Sequence, residues 1–475
     1  MDQSRRSGGG GIMELLKIAL SALLVAGCAS SLDYHECNTN DDCASHASDA
    51  GKLYCTNDHF CVLGVPDEQL CDDSQTLGTD GPGTLVLGVL TDHSDPNDQA
   101  IAKAIQLAAS EIIPNQGGGA QPPLAVHFCD TAKDPAQALR AATRAVEFFH
   151  AAALIGPTTS DDVLKIAAYA AQTRTLVVSP SATAANISSF MDKNEVWRTC
   201  PSDSLQGVLL AKMVQAAAKG NMGASTIGSL HVTSIYGTGL SQTFVEEYQS
   251  LDKANKVQVF PFVTSTDLPM AMSSLGKITP TQALLVADMD APTMVGMLGT
   301  THGLEKTQFF MTDAAKGPGL FGAMGTTNSD VLKRIQGTSP SDPAGSVFDT
   351  FRTSYKGAFH SDPKMISFVA NAYDATYVVA IAAAATTGHV PTGMDLATGM
   401  AKLTNKGVAV PVGSMTYLAA VKQMSMGGVR IVGASGPMEF DANGDLTSAS
   451  YDCWSVDTSA MPTFVIKSSP CPSFP

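Results

Sequence analysis

Hydroxyl side chains follow two predicted strands at the points where each strand ends. Thr158, Thr159 and Ser160 come after a predicted strand at 152–155 and precede a predicted helix at 161–172, while Ser181 and Thr183 follow a strand at 175–179. Ligands of open α/β sheets sit beyond the carboxyl ends of strands, beside helix N-termini. Such hydroxyls and the backbone N–H groups beside them suit a ligand carboxylate. The alternative is that they only cap helices.

Motifs for catalysis are missing from the chain. The sequence contains no H-E-x-x-H, P-loop or G-x-S-x-G pattern. One G-x-G-x-x-G occurs at 317–322, but residues 312–316 separate it from the preceding predicted strand and proline occupies its second position, which favours a surface loop. The histidines are scattered without a recognisable dyad. We therefore expect a protein that is not an enzyme and that holds no metal or cofactor.

The cysteines predict an oxidising compartment. The pairs Cys37/Cys43 and Cys55/Cys61 repeat the spacing C-x5-C in a polar stretch that is too short to build a large core. We expect disulfides among these four, although zinc, with help from His35, His46 and His59, is the alternative. Structural zinc sites usually space their cysteines more closely.

The remaining cysteines predict one further disulfide. Cys453 and Cys471 flank two candidate strands near the C-terminus and are the expected pair. Once Cys28 is set aside, an odd number of cysteines is left. At least one thiol in the group Cys71, Cys129, Cys200, Cys453 and Cys471 should therefore lack a partner, if the first four pair among themselves.

The N-terminus predicts export and a lipid anchor. Arg5 and Arg6 precede an apolar stretch at 15–27, which is too short to span a bilayer but suits a signal peptide. It ends in the letters LVAGC, which resemble a bacterial lipobox, so we expect signal-peptide residues 1–27 and lipidation of Cys28. An ordinary signal peptide is the alternative, and translation starts at Met1 or Met13. The expected location is the periplasmic side of a membrane, with the outer membrane as one candidate.

The long remainder predicts two α/β lobes. The chain has 475 residues, of which 44% are hydrophobic and 15% charged, and its net charge of −15 disfavours nucleic-acid binding. Apolar strands and amphipathic helices alternate from residue 85 and then restart after 205, which predicts doubly wound parallel sheets. The expected organisation is a cysteine-rich module at 28–71, a linker at 72–83, one lobe from 84–201 and 335–430, and a second from 202–334 and 431–475.

Seven segments, in order, resemble the leucine/isoleucine/valine-binding family of periplasmic solute-binding proteins. They are LVLGVLT at 85–91, DTAKDPAQA at 130–138, LIGPTTS at 154–160, VSPSATA at 178–184, WRTCPSDSLQG at 197–207, IYGTG at 235–239 and GPMEFDANGD at 436–445. The resemblance covers about 84–470. It implies the type I periplasmic-binding fold, in which three crossovers join two lobes and the ligand is held between them.

The resemblance also implies roles for single residues. The counterparts of Ser160 and Thr183 bind a ligand carboxylate, the backbone at Ser181 helps to hold an ammonium group, and the counterpart of Tyr236 closes over the ligand from the second lobe. The further candidates beside these positions are Thr159, Ala182, Asp288 and Asp313. One departure concerns the acid that pairs with the ammonium, because Ala314 stands at the matching position and Asp313 lies one residue before it.

Two functions follow from these expectations. The first is capture of a small polar solute, an amino acid or a small carboxylate or amide, for delivery to an ABC importer. The second is a membrane-anchored sensor or receptor domain with the same fold and no transport role. The expected partners are a small-molecule ligand, an ABC permease and the membrane, without nucleic acid.

Overall fold

The structure is a computed structural model. It describes residues 37, 42–43, 53–55, 61–63, 67–116, 121–219, 226–288, 290–317, 319–322, 329–404, 406–467 and 471. The predicted signal peptide, Cys28, and His35, His46 and His59 lie outside the described residues. In the described part of the chain, no helix is both long and apolar enough to cross a membrane.

The chain divides into two units, residues 1–69 and residues 70–475. In the first unit, strands β1 (Leu53–Cys55) and β2 (Cys61–Leu63) pair in antiparallel fashion. Disulfides join Cys37 to Cys55 and Cys43 to Cys61. The expectation that these four cysteines pair among themselves is confirmed, and the zinc alternative is wrong because all four thiols are used.

The first lobe of the large unit opens with a six-stranded sheet in the order β3-β5-β4-β6-β7-β8. Its strands are β3 (Cys71–Leu77), β4 (Leu85–Thr91), β5 (Leu124–Asp130), β6 (Ala153–Ile155), β7 (Leu176–Ser179) and β8 (Val196–Arg198). Helices α1 (Pro96–Ile112), α2 (Pro135–Thr143) and α3 (Ser160–Thr173) connect them. Strands β4 to β8 are parallel because each crossover carries a helix or a long loop.

Strand β3 corrects the predicted linker at 72–83. It pairs antiparallel with β5 at the edge of the sheet, and a disulfide joins Cys71 to Cys129. The sequence CDDSQTL gave no strand signal because its polar side chains lie on an edge strand that stays partly exposed. Cys129 is buried at the end of β5, and its pairing with Cys71 was not predicted.

The second lobe repeats the plan of the first. Its strands are β9 (Ile227–Val232), β10 (Val257–Phe262), β11 (Gln282–Val286), β12 (Gln308–Met311) and β13 (Ile335–Pro340). Its helices are α4 (Asp203–Lys219), α5 (Ile235–Leu251), α6 (Leu268–Lys277), α7 (Ala291–Leu298), α8 (Gly319–Gly322) and α9 (Ser329–Leu332). The five strands are parallel, in the order β10-β9-β11-β12-β13.

The chain then returns to the first lobe. It adds α10 (Ser346–Phe359), α11 (Val369–Ala382), α12 (Gly393–Met400), β14 (Ala409–Pro411), α13 (Tyr417–Ser425), β15 (Arg430–Val432) and β16 (Pro437–Met438). Helix α11 is buried along its whole length and packs against α1 and the first sheet, which explains why apolar residues occur on all of its faces. The predicted turn at 441–444 forms, with Gly444 at φ 76°.

Strands β17 (Tyr451–Asp457) and β18 (Thr463–Ile466) complete the seven-stranded second sheet by antiparallel pairing beside β13. The expected disulfide between Cys453 and Cys471 is confirmed. Among the described cysteines, buried Cys200 is the one without a disulfide, as the odd count required.

The lobe boundaries differ in two places from the prediction. Residues 335–340 form β13 of the second sheet, so the chain crosses back after Pro340 and not before residue 335. Ile431, Ala434 and Met438 lie in the core of the first lobe, so the last crossover follows residue 446 and not residue 430. Boundaries of this kind depend on which sheet a short strand joins, and a strand pattern alone does not specify that.

Candidate functional site

A cavity of about 470 Å³ lies between the two lobes. In the first sheet the strand order reverses between β4 and β6, and in the second between β9 and β11. The loops after β6, β9 and β11 line the cavity together with the first turns of α1, the helix that follows β4. This is where open α/β sheets bind ligands. The volume suits a small organic molecule.

The cavity brings together all but one of the predicted ligand residues. Its lining includes Thr159, Ser160, Ser181, Thr183, Tyr236, Asp288 and Asp313. Ala182 is buried in the first-lobe core and does not line it. Its main chain is also engaged internally, because the N–H donates to Ser179 Oγ at 3.1 Å and the carbonyl accepts from Arg198.

The loop after β6 combines capping with a surface for ligand. Thr159 caps α3, since its hydroxyl oxygen accepts from the Asp162 N–H at 3.2 Å. Ser160 Oγ accepts from the Ala184 N–H at 3.2 Å, which leaves its own hydroxyl proton available to another acceptor. The capping interpretation therefore holds for Thr159, whereas Ser160 keeps donor capacity at the cavity wall.

Hydrogen bonds from Arg198 hold the loop after β7 in place. This buried guanidinium donates to the carbonyls of Ala182 and Ala184 at 3.2 and 2.9 Å, and its Nε donates to Asp445 Oδ1 at 2.7 Å. The Ser181 hydroxyl donates to the Thr158 carbonyl at 2.8 Å, tying the two loops together. The positions of Ser181 and Thr183 are thus fixed by hydrogen bonds that do not involve a ligand.

The second lobe contributes an aromatic ring and a buried carboxyl. The Tyr236 hydroxyl donates to Thr312 Oγ1 at 2.7 Å, and helix α5, which carries Tyr236, is capped by Ser234. Asp313 follows β12, is 3% exposed and lines the cavity. Burial raises the pKa of Asp313 to about 6, and the charge of Asp288 acts in the same direction. Asp203, at the first crossover, is also buried, and burial together with the charge of Asp313 raises its pKa well above the usual value.

The predicted ligand residues did not include several charged residues of the cavity, among them Lys133 and Asp98. Lys133 Nζ lies 3.3 Å from Asp288 Oδ1, 3.4 Å from Asp95 Oδ2 and 3.7 Å from Asp98 Oδ1. Burial acts to lower the pKa of Lys133, but these three carboxylates outweigh it and raise the pKa above its ordinary value. Asp98 accepts from the Asp92 N–H and the Thr158 hydroxyl, and burial raises its pKa to about 6.

A second contact joins the lobes beside this ion pair. The Asp161 carboxylate, in the first turn of α3, accepts from the Ile235 N–H at the start of α5, at 3.1 and 3.2 Å. Lys133 and Asp161 belong to the first lobe and Asp288 and Ile235 to the second. The two lobes therefore touch through charged and hydrogen-bonded groups at the edge of the cavity.

Solved structures with the same fold cover nearly the whole large unit. The leucine-binding protein LivK of Thermotoga maritima is 20% identical with a TM-score of 0.63, covering 82% of this chain and 99% of that one. LivJ of Streptococcus pneumoniae, in complex with isoleucine, is 19% identical with a TM-score of 0.63, covering 81% and 100%. A solute-binding protein of an ABC transporter from R. palustris, in complex with benzoate, is 15% identical with a TM-score of 0.60, covering 81% and 95%. These similarities confirm the predicted type I periplasmic-binding fold.

Sequence comparison gives a relative and a family. The chemotactic signal transduction system substrate-binding protein BasB of Halobacterium salinarum is 30% identical over 234 residues, which are 48% of this chain and 50% of that protein. The chain thus matches about half the length of this curated relative. Residues 100–459 match the family described as receptor family ligand binding region. The chain belongs to that family, and the family and these relatives are described as ligand-binding proteins or receptors and not as enzymes.

Proposed function

We propose that this protein captures a small polar solute between its two lobes and delivers it to an ABC importer. The observation that carries the proposal is the cavity between the lobes. Both lobes contribute to its walls, and it lies at the strand ends where the strand order of each sheet reverses. Hydroxyls of Ser160 and Thr183 on one side and Tyr236 on the other suit hydrogen bonds to a polar ligand. On sequence grounds the solute is an amino acid or a small carboxylate or amide.

Solved relatives support capture of small solutes. LivK is a leucine-binding protein, LivJ holds isoleucine and the R. palustris protein holds benzoate, each in a chain of the same fold. LivJ is described as the substrate-binding protein of a branched-chain amino acid transporter, and the R. palustris protein as the solute-binding protein of an ABC transporter.

The second candidate function is ligand sensing without transport. It is favoured by the similarity to BasB, which is described as part of a chemotactic signalling system. Neighbouring permease and ATPase genes would favour transport, whereas neighbouring signalling genes would favour sensing. Loss of solute uptake on deletion of the gene separates the two directly.

Lipid anchoring through Cys28 is proposed for both functions. The supporting observation is the sequence LVAGC at the end of the predicted signal peptide. Replacing Cys28→Ala should release the protein from membranes into the soluble envelope fraction. A variant that stays in the membrane pellet after a high-salt wash would remove the lipoprotein proposal.

A thermal-shift screen tests solute capture itself. The panel contains amino acids, small carboxylates, amides and sugars. A bound solute stabilises the folded state by RT ln(1 + [L]/Kd), so at least one class should raise the melting temperature in proportion to the logarithm of its concentration. A panel in which no solute raises the melting temperature contradicts the proposal.

A further inference from the structure

The lining of the cavity is strongly acidic. Five carboxyl groups reach its wall, those of Asp98, Asp161, Asp288, Asp290 and Asp313. Among the described lining residues, Lys133 is the one cation, and its ammonium group lies within 4 Å of the carboxylates of Asp95, Asp98 and Asp288. Carboxylates of the protein therefore already neutralise the charge of Lys133, and the lining of the cavity carries a net negative charge.

The helix N-terminus at the cavity already faces carboxylates of the chain. Asp161 and Asp162 lie in the first turn of α3, and the Asp162 N–H is taken by Thr159. Carboxylates in a first turn complement the positive end of the helix dipole. At the start of α5, Asp161 accepts from Ile235, and Ser234 accepts from Gly237. A ligand carboxylate placed here would meet like charge and few free donors.

Asp313 supplies an independent sign of a cationic ligand. Asp313 is only 3% exposed, yet it lines the cavity. Its Oδ1 has no hydrogen-bond partner among the described residues. A buried carboxylate oxygen without a partner is costly, and a cationic donor in the cavity would satisfy it.

The acidic groups do not suggest a metal ion. In the described part of the chain, the one group of three metal-ligating side chains that converge closely is Cys37, Cys43 and Cys55, which are in disulfides. The cavity carboxyls are instead spread over both lobes. Apolar side chains, among them Ile101, Val232 and Phe368, also line the wall. Carboxyl groups on both lobes together with apolar wall fit an organic cation with a hydrocarbon part.

Building on the proposed solute capture, we propose that the ligand is a small organic cation. It carries more positive than negative charges, and one ammonium or guanidinium group lies against Asp313. A basic amino acid or an alkyl amine has this chemistry, whereas a neutral amino acid or a benzoate does not. The difference from the solved relatives lies in the surplus of carboxylates in the cavity and not in the fold.

Matched ligand pairs test the charge requirement on the wild-type protein. Calorimetric titration compares lysine with norleucine, benzylamine with benzoate, and 1,4-diaminobutane with succinate, so that the members of each pair have similar size. The cationic member of at least one pair should bind tenfold tighter or better, and no anionic member should bind preferentially. Tighter binding of norleucine, benzoate or succinate overturns this inference but leaves solute capture intact. Failure of all six overturns the inference, and the broader thermal-shift panel then decides solute capture.

The variant Asp313→Asn tests the position of the charge. A charge-assisted hydrogen bond contributes roughly 1.5–3 kcal/mol, so the affinity for the cationic ligand should fall at least about tenfold. Asp349→Asn changes an exposed aspartate on α10 and should leave the affinity unchanged. Equal affinity of Asp313→Asn and wild type overturns the assignment. The ligand pairs keep the charge requirement testable if Asp313→Asn fails to fold.

Discussion

Lys133 Nζ in the first lobe lies 3.3 Å from Asp288 Oδ1 in the second, so an ion pair joins the lobes at the edge of the ligand cavity. The lysine is also held by Asp95 and Asp98 of its own lobe. Separation of the lobes would break one of its three ion pairs and leave two. We therefore expect the Lys133–Asp288 ion pair to favour the closed arrangement of the two lobes while still allowing them to separate.

The variant Lys133→Met should weaken both lobe closure and the first lobe. Removing one partner of a buried ion pair costs on the order of 3 kcal/mol, because the remaining carboxylates are left uncompensated. We expect a lower free energy of unfolding in urea and, with saturating ligand, a larger radius of gyration by small-angle scattering. Lys103→Met removes an exposed lysine of α1 and is the control. Identical scattering of Lys133→Met and wild type would contradict a role in closure.

Ser160→Ala should reduce stability as well as affinity. The hydroxyl oxygen accepts from the Ala184 N–H, so its loss leaves a buried donor unpaired at a cost of about 1–3 kcal/mol. The melting temperature without ligand should fall, and calorimetry should show weaker binding. An unchanged melting temperature would show that Ala184 finds another acceptor, and unchanged affinity would remove Ser160 from the ligand site.

Binding of a cation should weaken at low pH while the free protein becomes more stable. The pKa of Asp313 is raised to about 6, and below that value a proton competes with the ligand. The charged and titratable groups around Asp313 are Asp203, Asp288, Tyr236, Tyr451 and Cys200, and the pKa values of Asp203, Tyr236 and Tyr451 lie well above their usual values. Asp98, whose pKa is also about 6, titrates in the same range.

The stability of the free protein changes in the opposite direction. A folded-state pKa above the unfolded value means that the folded chain binds the proton more tightly, so Asp98 and Asp313 add stability as pH falls through 6. Melting temperature and calorimetric affinity measured from pH 7.5 to 5.5 should therefore diverge. An affinity for the cationic ligand that stays constant over this range would contradict an ionised Asp313 as its partner.

Removal of the Cys71–Cys129 disulfide should cost more stability than removal of Cys453–Cys471. The sequence separations are 58 and 18 residues, and a longer closed loop restricts the unfolded chain more. Chain entropy gives about 4 and about 3 kcal/mol. Urea unfolding of the two double Cys→Ala variants measures both values. A larger loss for the Cys453–Cys471 variant would show that native packing around the sulfurs outweighs chain entropy.

The sequence predicted the hydroxyl loops because their position depends only on local order. Ser160 and Thr183 each follow a buried parallel strand, and the carboxyl ends of such strands meet at one edge of the sheet. Lys133 and Asp98 could not be recognised in the same way. They lie on different segments of the first lobe, so the sequence does not reveal their ion pair, and the ion pair between Lys133 and Asp288 exists only once the two lobes face each other.

Strand β3 was missed for a different physical reason. An edge strand needs hydrogen bonds on one side only and can carry polar residues on much of its surface. The stretch 72–77 therefore lacked the apolar alternation that marks a half-buried strand, and the disulfide of Cys71 contributes to holding it in place. Cysteine counting required an unpaired thiol but did not reveal that it is Cys200.

Calorimetric titration of wild type and Thr183→Val tests the central claim, solute capture in the cavity between the lobes, most directly. The ligand is the solute that gives the largest thermal shift. Thr183→Val keeps the shape of a side chain at the cavity wall and removes its hydroxyl. The account predicts one bound solute per chain and an affinity about tenfold lower or more in the variant. Binding of the same solute to wild type and variant with equal affinity would contradict the account.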